Sequence, residues 1–282
     1  MKKTILLSAC MAALCLLFVA ANKRPVTLFM VGDSTMADKT ELDISPERGW
    51  GQLFPSFLTG NIIVENHAMN GRSTKSFRDE GRWQVVLDRI HRGDIVLIQF
   101  GHNDSKIDDP KRYASIEDYQ NNLIAMIEEA QKKGAHVILA TPISRRYFKN
   151  GEFRPRHGGY PEAARRVAQY KQVPLLDLEA ATADWLRQLG DEPSKAYFMN
   201  VAPGECIKFP EGKTDNTHLR ENGALAVGRM AAEMIQKQNI KHVHQYIRLT
   251  DDPTPIYTVF CRPAMDSDNK VKVESDLKTD IK

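Results

Sequence analysis

The chain has 282 residues, of which 42% are hydrophobic and 27% are charged, and its formal net charge is +3 at pH 7. This composition is that of an ordinary globular protein. The small net charge gives no overall field that favours nucleic acid or an anionic membrane. The length allows one large domain or two small ones.

The first 21 residues predict a secretory signal peptide, with Lys2 and Lys3 as a short basic start and cleavage after Ala21. A membrane anchor is one alternative. Another is a lipoprotein, because residues 7–10 (Leu-Ser-Ala-Cys) resemble a lipoprotein cleavage box, although a cut there leaves a short apolar region. No later apolar stretch is long enough to span a bilayer. We therefore expect a secreted or periplasmic protein without a membrane span.

Short apolar strands alternate with amphipathic helices over residues 22–240. The predicted strands are Val26–Val31, Asn61–Glu65, Asp94–Phe100, His136–Ala140 and Val173–Leu178. The predicted helices are Gln52–Leu58, Gly81–His91, Ser115–Lys133, Pro161–Gln172, Glu179–Leu189 and Leu219–Gln236. This alternation predicts an α/β domain over residues 22–240, with a five-stranded parallel sheet covered by helices on both faces.

Residues 241–282 are polar, and we expect an extension that packs on the domain or is partly disordered. Residues 256–261 are apolar and predict a short strand there. His242 and His244 supply too few ligands for a metal site, so a surface segment is expected. Cys206 and Cys261 remain after signal removal, and both a disulfide between them and two free thiols stay open.

Three of the predicted strands end in polar segments that contain glycine. These segments are Gly32–Thr35, Asn70–Arg72 and Gly101–Asp104. Because the carboxyl ends of parallel strands meet at one edge of a sheet, we expect the three segments to lie together. A fourth polar segment, Thr214–His218, comes directly before the last predicted helix.

These segments contain the groups that acyl transfer needs. Ser34 offers a hydroxyl nucleophile, His218 a base, and Asp215 a carboxylate three residues before it that can orient the imidazole. The N–H groups of Ser34 and Gly71 and the side-chain amide of Asn103 are candidate oxyanion donors. Each residue alone is more often a cap, a turn or a surface pair. Their combination at strand ends favours a serine hydrolase.

The same segments resemble the conserved blocks of the SGNH (GDSL-like) hydrolase superfamily. Gly32-Asp33-Ser34, Gly71, Gly101–Asp104 and Asp215–His218 match its first, second, third and fifth blocks. Further stretches resemble one branch, the rhamnogalacturonan acetylesterases of carbohydrate esterase family 12: Gly32–Ala37, Asn66–Phe77 and Gln99–Asp104. Thr35 departs from the leucine usual in the superfamily, and this departure is typical of that branch. The resemblance covers roughly residues 25–240.

The resemblance implies a three-layer α/β/α sandwich and a serine esterase that uses no metal or other cofactor. It implies Ser34, Asp215 and His218 as catalytic residues, and Gly71 and Asn103 as oxyanion-hole residues. The N–H of Ser34 joins the oxyanion hole on the ground of its own position. The implied reaction removes O-acetyl groups from rhamnogalacturonan, a pectin, through an acetyl-enzyme. Acetylated xylan or another acyl ester is the enzymatic alternative. A non-catalytic glycan-binding protein on the same fold is the other.

Pectin carries uronate carboxylates, so a basic rim would suit it as a partner. Arg72, Arg145 and Arg156 are the candidate substrate-binding residues, with Lys75, Arg78 and the rest of the basic loop 145–157 near them in sequence. The alternative to a substrate-binding rim is a basic face that contacts only solvent. The expected partner is an acetylated polysaccharide or oligosaccharide, and no nucleic acid is expected.

Overall fold

A parallel β-sheet forms the centre of the fold, which the computed structural model describes for residues 24–251 and for the backbone of residues 259–261. In chain order the described strands are β1 Val26–Gly32, β2 Glu47–Arg48, β3 Ile62–Asn66, β4 Ile95–Gln99, β5 His136–Ala140, β6 Phe148–Lys149, β7 Glu152–Phe153, β8 Leu175–Leu176, β9 Leu219–Arg220 and β10 Val259–Cys261. The sheet has the order β10-β3-β1-β4-β5-β8, and every neighbouring pair in it is parallel. β2 pairs with β9 and β6 with β7, both antiparallel.

The helices connect these strands. They are α1 Trp50–Leu53, α2 Thr74–Asp79, α3 Arg82–Arg89, α4 Ile116–Lys132, α5 Tyr160–Lys171, α6 Leu178–Leu189, α7 Asp191–Ser194 and α8 Glu221–Lys237, with 3₁₀ turns at Phe54–Phe57, Lys195–Tyr197 and His244–Tyr246. Ser115 caps α4, because its hydroxyl accepts the N–H of Asp118 at 3.0 Å. No helix in the described part of the chain is both long and apolar enough to cross a bilayer.

Side chains of the central strands alternate between two apolar cores, one on each face of the sheet. Leu28 and Met30 of β1 face a core completed by α1, α6 and α8. Phe29 and Val31 of the same strand face a second core completed by α3, α4 and α5. A strand buried on both faces reads as a continuous apolar run, which is why β1 could be predicted. The result is the three-layer α/β/α sandwich.

The five predicted strands are confirmed as neighbours in one parallel sheet. β8 is shorter than the predicted strand Val173–Leu178, because Pro174 has no N–H to donate and Asp177 already caps α6. β10 adds a sixth strand at the β3 edge, from the tail segment 256–261 in which a strand is predicted. The predicted signal peptide, residues 1–21, and the end of the extension, residues 262–282, lie outside the described residues.

Two sequence features outside the strands also have defined surroundings. The thiol of Cys206 is buried and donates to the carbonyl of Ile44; of Cys261 the structure describes only the backbone. The exposed His242 stacks on His136 with ring centroids 3.6 Å apart. The surface segment expected at residues 242–244 therefore holds an aromatic contact with the end of the sheet.

The register of the central strands brings the predicted polar segments together. Gly32 at the end of β1 is paired with Gln99 at the end of β4, and Met30 is paired with Asn66 at the end of β3. The three strands therefore end side by side at one edge of the sheet. This edge is where an open parallel sheet places its chemistry.

Candidate active site

Ser34 lies in the tight turn that follows β1. The N–H groups of Met36 and Ala37 donate to the carbonyl of Asp33 at 3.2 and 3.0 Å. The Asp33 carboxylate in turn accepts from the N–H and the hydroxyl of Thr35 at 2.9 and 2.8 Å. These bonds fix the chain on both sides of Ser34, which is 9% exposed.

His218 joins Ser34 to Asp215. Its Nε2 lies 2.8 Å from the hydroxyl of Ser34, and its Nδ1 lies 2.8 Å from Oδ2 of Asp215. Oδ1 of Asp215 accepts the N–H groups of Thr217 and His218 at 2.9 and 3.0 Å. Burial alone would raise the pKa of Asp215, but its bonds with His218 and with Lys213 hold that pKa well below its ordinary value. The ionised Asp215 holds the proton on Nδ1, which leaves Nε2 as an acceptor.

A buried arginine anchors the loop that carries His218. The N–H of Arg146 donates to the carbonyl of Asn216 at 2.8 Å, and Nη1 donates to the side-chain oxygen of Asn216 at 3.0 Å. Its other guanidinium nitrogens bond Asp191 and the hydroxyl of Ser194. Arg146 is 4% exposed. Its inclusion in a substrate-facing basic loop was therefore wrong, because its charge is used inside the fold.

The three candidate oxyanion donors come from the three adjacent strand ends. Gly71 has φ +76°, a conformation that glycine adopts without strain. Among residues 24–251, no group accepts a hydrogen bond from the N–H of Ser34 or of Gly71. One amide hydrogen of Asn103 is donated to the carbonyl of Arg72 at 3.0 Å. Two main-chain donors and one amide hydrogen thus have no acceptor among residues 24–251.

A chain of buried hydrogen bonds supports the turn beneath Ser34. Trp50 Nε1 donates to Gln99 Oε1 at 2.7 Å, and Gln99 Nε2 donates to the hydroxyl of Thr35 at 2.9 Å. Thr35 then donates to Asp33. Burial raises the pKa of Asp33, against the opposing effect of the Thr35 bonds. The network explains why a polar Thr35 suits this position, since a leucine would leave the Gln99 amide without its acceptor and remove one of the two Thr35 bonds to Asp33.

The turn after β4 contains two more buried titratable groups. His102 Nδ1 lies 3.0 Å from Nε2 of His157, and burial lowers the pKa of His157 to about 3 and that of His102 well below its ordinary value. Both imidazoles are therefore neutral near pH 7. Burial raises the pKa of Asp104 to about 7, although the N–H and hydroxyl of Thr74 donate to its Oδ1.

The three candidate substrate-binding arginines have different surroundings. Arg72 is paired with Glu80, with Nε 2.9 Å from the carboxylate. Arg145 donates to the carbonyl of His102 at 2.9 Å, so it lies at the edge of the site. Arg156 is exposed and lies 4.1 Å from the centre of the Tyr147 ring.

Arg145 is close enough to both Arg156 and Lys106 for their charges to interact. None of the three forms an ion pair with another residue of the described chain. Burial lowers the pKa of Arg145 against the opposing charges of Asp33 and Asp215, and Arg156 adds to the lowering. Burial and the charges of Arg112 and Arg145 lower the pKa of Lys106, against the opposing charges of Asp109 and Asp33. Unpaired cations that repel one another attract an anion that can approach them.

Sequence reasoning missed three charged residues around the same site. Lys39 donates to the carbonyl of Ser34 at 2.7 Å, Lys213 lies 2.9 Å from Asp215 Oδ2, and Glu47 lies 2.9 Å from Lys39. Nothing in the sequence around Glu47 signals this position.

Within residues 24–251, no group of three His, Cys, Asp or Glu side chains could hold a metal ion.

Comparison with known proteins agrees with this geometry. A model of the GDSL-like lipase/acylhydrolase family matches residues 30–224, a span that includes Ser34, Gly71, Asn103, Asp215 and His218. The chain belongs to this family. Rhamnogalacturonan acetylesterase RhgT of Bacillus subtilis (strain 168) is 39% identical over 216 residues, which are 76% of this chain and 91% of the relative. A rhamnogalacturonan acetylesterase of Emericella nidulans is 29% identical over 224 residues, covering 71% and 81%.

Two solved structures have the same fold. The YxiM protein of Bacillus subtilis has 27% identity and a TM-score of 0.67, over 77% of this chain and 58% of that chain. An acetylxylan esterase from Geobacillus stearothermophilus has 16% identity and a TM-score of 0.52, over 77% and 96%, and this likeness concerns the fold alone. The chain is a carboxylic ester hydrolase, and its predicted likeness to rhamnogalacturonan acetylesterases is confirmed.

Proposed function

We propose that this enzyme removes O-acetyl groups from rhamnogalacturonan by a serine-based, two-step reaction. The observation that carries the proposal is the hydrogen-bonded line from Ser34 Oγ to His218 Nε2 and from His218 Nδ1 to Asp215, at 2.8 Å each. These distances are those of a nucleophile, its base and the carboxylate that orients the base. The names of the relatives from Bacillus subtilis and Emericella nidulans support the acetyl group and the polymer.

In the first step, the hydroxyl oxygen of Ser34 attacks the acetyl carbonyl carbon while its proton passes to His218 Nε2. Charge develops on the carbonyl oxygen, and the N–H groups of Ser34 and Gly71 and the amide of Asn103 stabilise it. The bond between the acetyl carbon and the sugar oxygen then breaks. The sugar oxygen takes the proton from Nε2 and leaves as a hydroxyl group.

In the second step, water hydrolyses the acetyl-enzyme. His218 accepts a proton from the water as its oxygen attacks the acetyl carbon, and the same three donors stabilise the second oxyanion. The bond to Ser34 breaks, Nε2 returns the proton to the serine oxygen, and acetate leaves. Asp215 stays ionised throughout and stabilises the imidazolium that forms in each step.

The unpaired cations beside the site support a uronate-containing polymer. Arg145 and Arg156, with Lys106, can approach the carboxylate of a galacturonate next to the acetylated sugar and bind it by charge-assisted hydrogen bonds. Arg72 contributes less, because Glu80 already neutralises it. The predicted signal peptide fits this proposal, since an exported enzyme can reach a polysaccharide outside the cell.

The test is acetate release from a panel of acetylated rhamnogalacturonan, acetylated xylan and small sugar acetates, at equal ester concentration. We expect the highest kcat/KM on rhamnogalacturonan, and acetyl p-nitrophenyl esters hydrolysed faster than long-chain ones. Faster acetate release from acetylated xylan would show that xylan, and not rhamnogalacturonan, is the preferred substrate. No release from any ester, together with no labelling of Ser34 by a fluorophosphonate probe, would favour a non-catalytic glycan-binding protein.

A further inference from the structure

Alternating charges connect the catalytic carboxylate to the main chain of the nucleophile. The ammonium of Lys213 lies 2.9 Å from Asp215 Oδ2 and 4.0 Å from Glu47 Oε2. The other oxygen of Glu47 lies 2.9 Å from Lys39, which donates to the carbonyl of Ser34 at 2.7 Å. The resulting order of charges is negative, positive, negative, positive, from Asp215 to Lys39.

The fold holds these groups in place. The main chain of Lys213 exchanges two hydrogen bonds with Val201, both 2.8 Å, and its ammonium lies 4.6 Å from the centre of the Phe209 ring. Glu47 is in β2, which pairs with β9, so Glu47 lies opposite Arg220, two residues after His218. The side chains of Lys39, Lys213, Asp215 and Glu47 are 9%, 26%, 15% and 15% exposed. Partial burial reduces solvent screening between them.

Asp215 Oδ2 serves two partners at once. It accepts the Nδ1–H of His218 and the ammonium of Lys213, at 2.8 and 2.9 Å. A cation on that oxygen opposes a positive charge on the imidazole, whereas the carboxylate of Glu47 favours one. Glu47 is close enough for the charge of His218 to contribute to lowering its pKa, after the cost of burial and the effect of Lys39.

We propose that Lys213 and Glu47 are positioning residues that set the basicity of His218 through Asp215, in opposite directions. Lys213 keeps the imidazole from holding its proton too tightly, so that Nε2 can return it to the leaving sugar oxygen. Glu47 limits this effect by neutralising part of the lysine charge. The proposal rests on the proposed role of His218 as the base.

Other charged or titratable groups also surround the imidazole. They are Lys39 beside Glu47, Asp33 and Ser34 from the turn after β1, His102 from the turn after β4, and Arg145, whose Nη1 lies 3.4 Å from Thr217 Oγ1. Replacing Lys213 or Glu47 removes none of these groups, although Glu47→Gln also breaks the ion pair between Glu47 and Lys39. A shift in Lys213→Met therefore reports the charge of Lys213, and a shift in Glu47→Gln reports the lost carboxylate together with the altered surroundings of Lys39.

The experiment compares Lys213→Met, Glu47→Gln and the double variant with wild type, and uses Lys171→Met as the control. Lys171 also pairs with a carboxylate, Glu128, at 2.7 Å, but it joins α5 to α4 on the far face of the sheet. The readouts are the acid limb of kcat/KM against pH for p-nitrophenyl acetate and the NMR titration of the His218 imidazole. The His218 resonance is identified by its absence in His218→Asn.

We expect Lys213→Met to move the His218 midpoint up by roughly 0.5–1 pH unit and Glu47→Gln to move it down by a similar amount. The double variant should return close to wild type, and Lys171→Met should not shift. Unshifted midpoints, or shifts in the same direction for both single variants, would overturn the proposal even if kcat falls. If Lys213→Met does not fold, Lys213→Gln removes the same charge and must shift the midpoint the same way.

The NMR readout separates this inference from the proposed function, because it requires no turnover. If the His218 midpoint shifts in opposite directions in Lys213→Met and Glu47→Gln but the enzyme has no esterase activity, the roles of Lys213 and Glu47 are supported and the proposed reaction is rejected. Normal esterase activity with no shift would reject the role of Lys213 and Glu47 alone.

Discussion

The side-chain amide of Asn103 donates to the main-chain carbonyl of Arg72 across a distance of 3.0 Å. This bond joins the turn after β4 to the loop that carries Gly71. It uses one amide hydrogen and fixes the plane of the amide, so the second hydrogen keeps one direction. Asn103 is 3% exposed, and a donor held this way needs little reorganisation when an oxyanion forms.

Asn103→Ala should therefore lower kcat for p-nitrophenyl acetate by about 10²–10³-fold, with a much smaller change in KM, because the lost bond forms in the transition state. Steady-state kinetics on the purified variant measure this. Asn222→Ala is the control, since Asn222 also donates its amide to a main-chain carbonyl, that of Ala196, but on α8. A rise in KM with unchanged kcat would argue against an oxyanion role for Asn103.

Arg145→Met should reduce selectivity for uronate polymers. The substitution keeps an unbranched side chain but removes the cation that lies unpaired at the edge of the site. We compare kcat/KM on acetylated rhamnogalacturonan with kcat/KM on acetylated xylan. The ratio of the first to the second should fall at least about tenfold, because one charge-assisted contact with the uronate is lost. Arg187→Met, which removes a cation paired with Asp184, is the control. An unchanged ratio would mean that Arg145 does not contribute to recognition of the negatively charged substrate.

Asp104→Asn should change how stability depends on pH. Burial raises the pKa of Asp104 to about 7, so the folded state favours the protonated carboxyl. Its contribution to the free energy of unfolding is present in full below about pH 4, the unfolded pKa, and is lost as pH rises through 7. That loss is up to roughly 4 kcal/mol for a shift of about three units. An amide keeps an oxygen for Thr74 and has no such loss.

Urea unfolding of both proteins between pH 4 and pH 8 measures this difference. We expect wild type to lose stability relative to Asp104→Asn over that range. Asp88→Asn, at an exposed position on α3, should follow wild type. Parallel curves for wild type and Asp104→Asn would show that burial does not raise the pKa of Asp104 above its unfolded value.

The central strands could be predicted because burial on both faces leaves a signal in the sequence itself. β1 is apolar except for Thr27, β4 is apolar up to Gln99, and the turns after them carry Ser34 and Asn103. α2 was missed, although its N-terminus has a local signal. Ser73 and Ser76 form a capping box, in which each hydroxyl accepts the other residue's N–H. Serine at the second position of that box is a weaker signal than the usual glutamate.

The charges around the site could not be predicted, because they depend on contacts between distant segments. Glu47 is placed by the pairing of β2 with β9, two strands of two residues each, and Lys213 by a bridge with Val201. Such short pairings have no periodicity to detect. Arg145 and Arg146 are neighbours in sequence, yet one lies at the edge of the site and the other is buried against Asp191. Only the packed loop decides which guanidinium remains available to a substrate.

The most direct test of the proposed reaction compares acetate release from acetylated rhamnogalacturonan by wild type and by Ser34→Ala. A circular dichroism melt checks that the variant is folded, and intact-protein mass spectrometry of acid-quenched wild type looks for one added acetyl group. We predict rapid release by wild type, at least about 10³-fold slower release by Ser34→Ala, and an acetyl group on Ser34. Full activity in folded Ser34→Ala would contradict the assignment of Ser34 as the nucleophile.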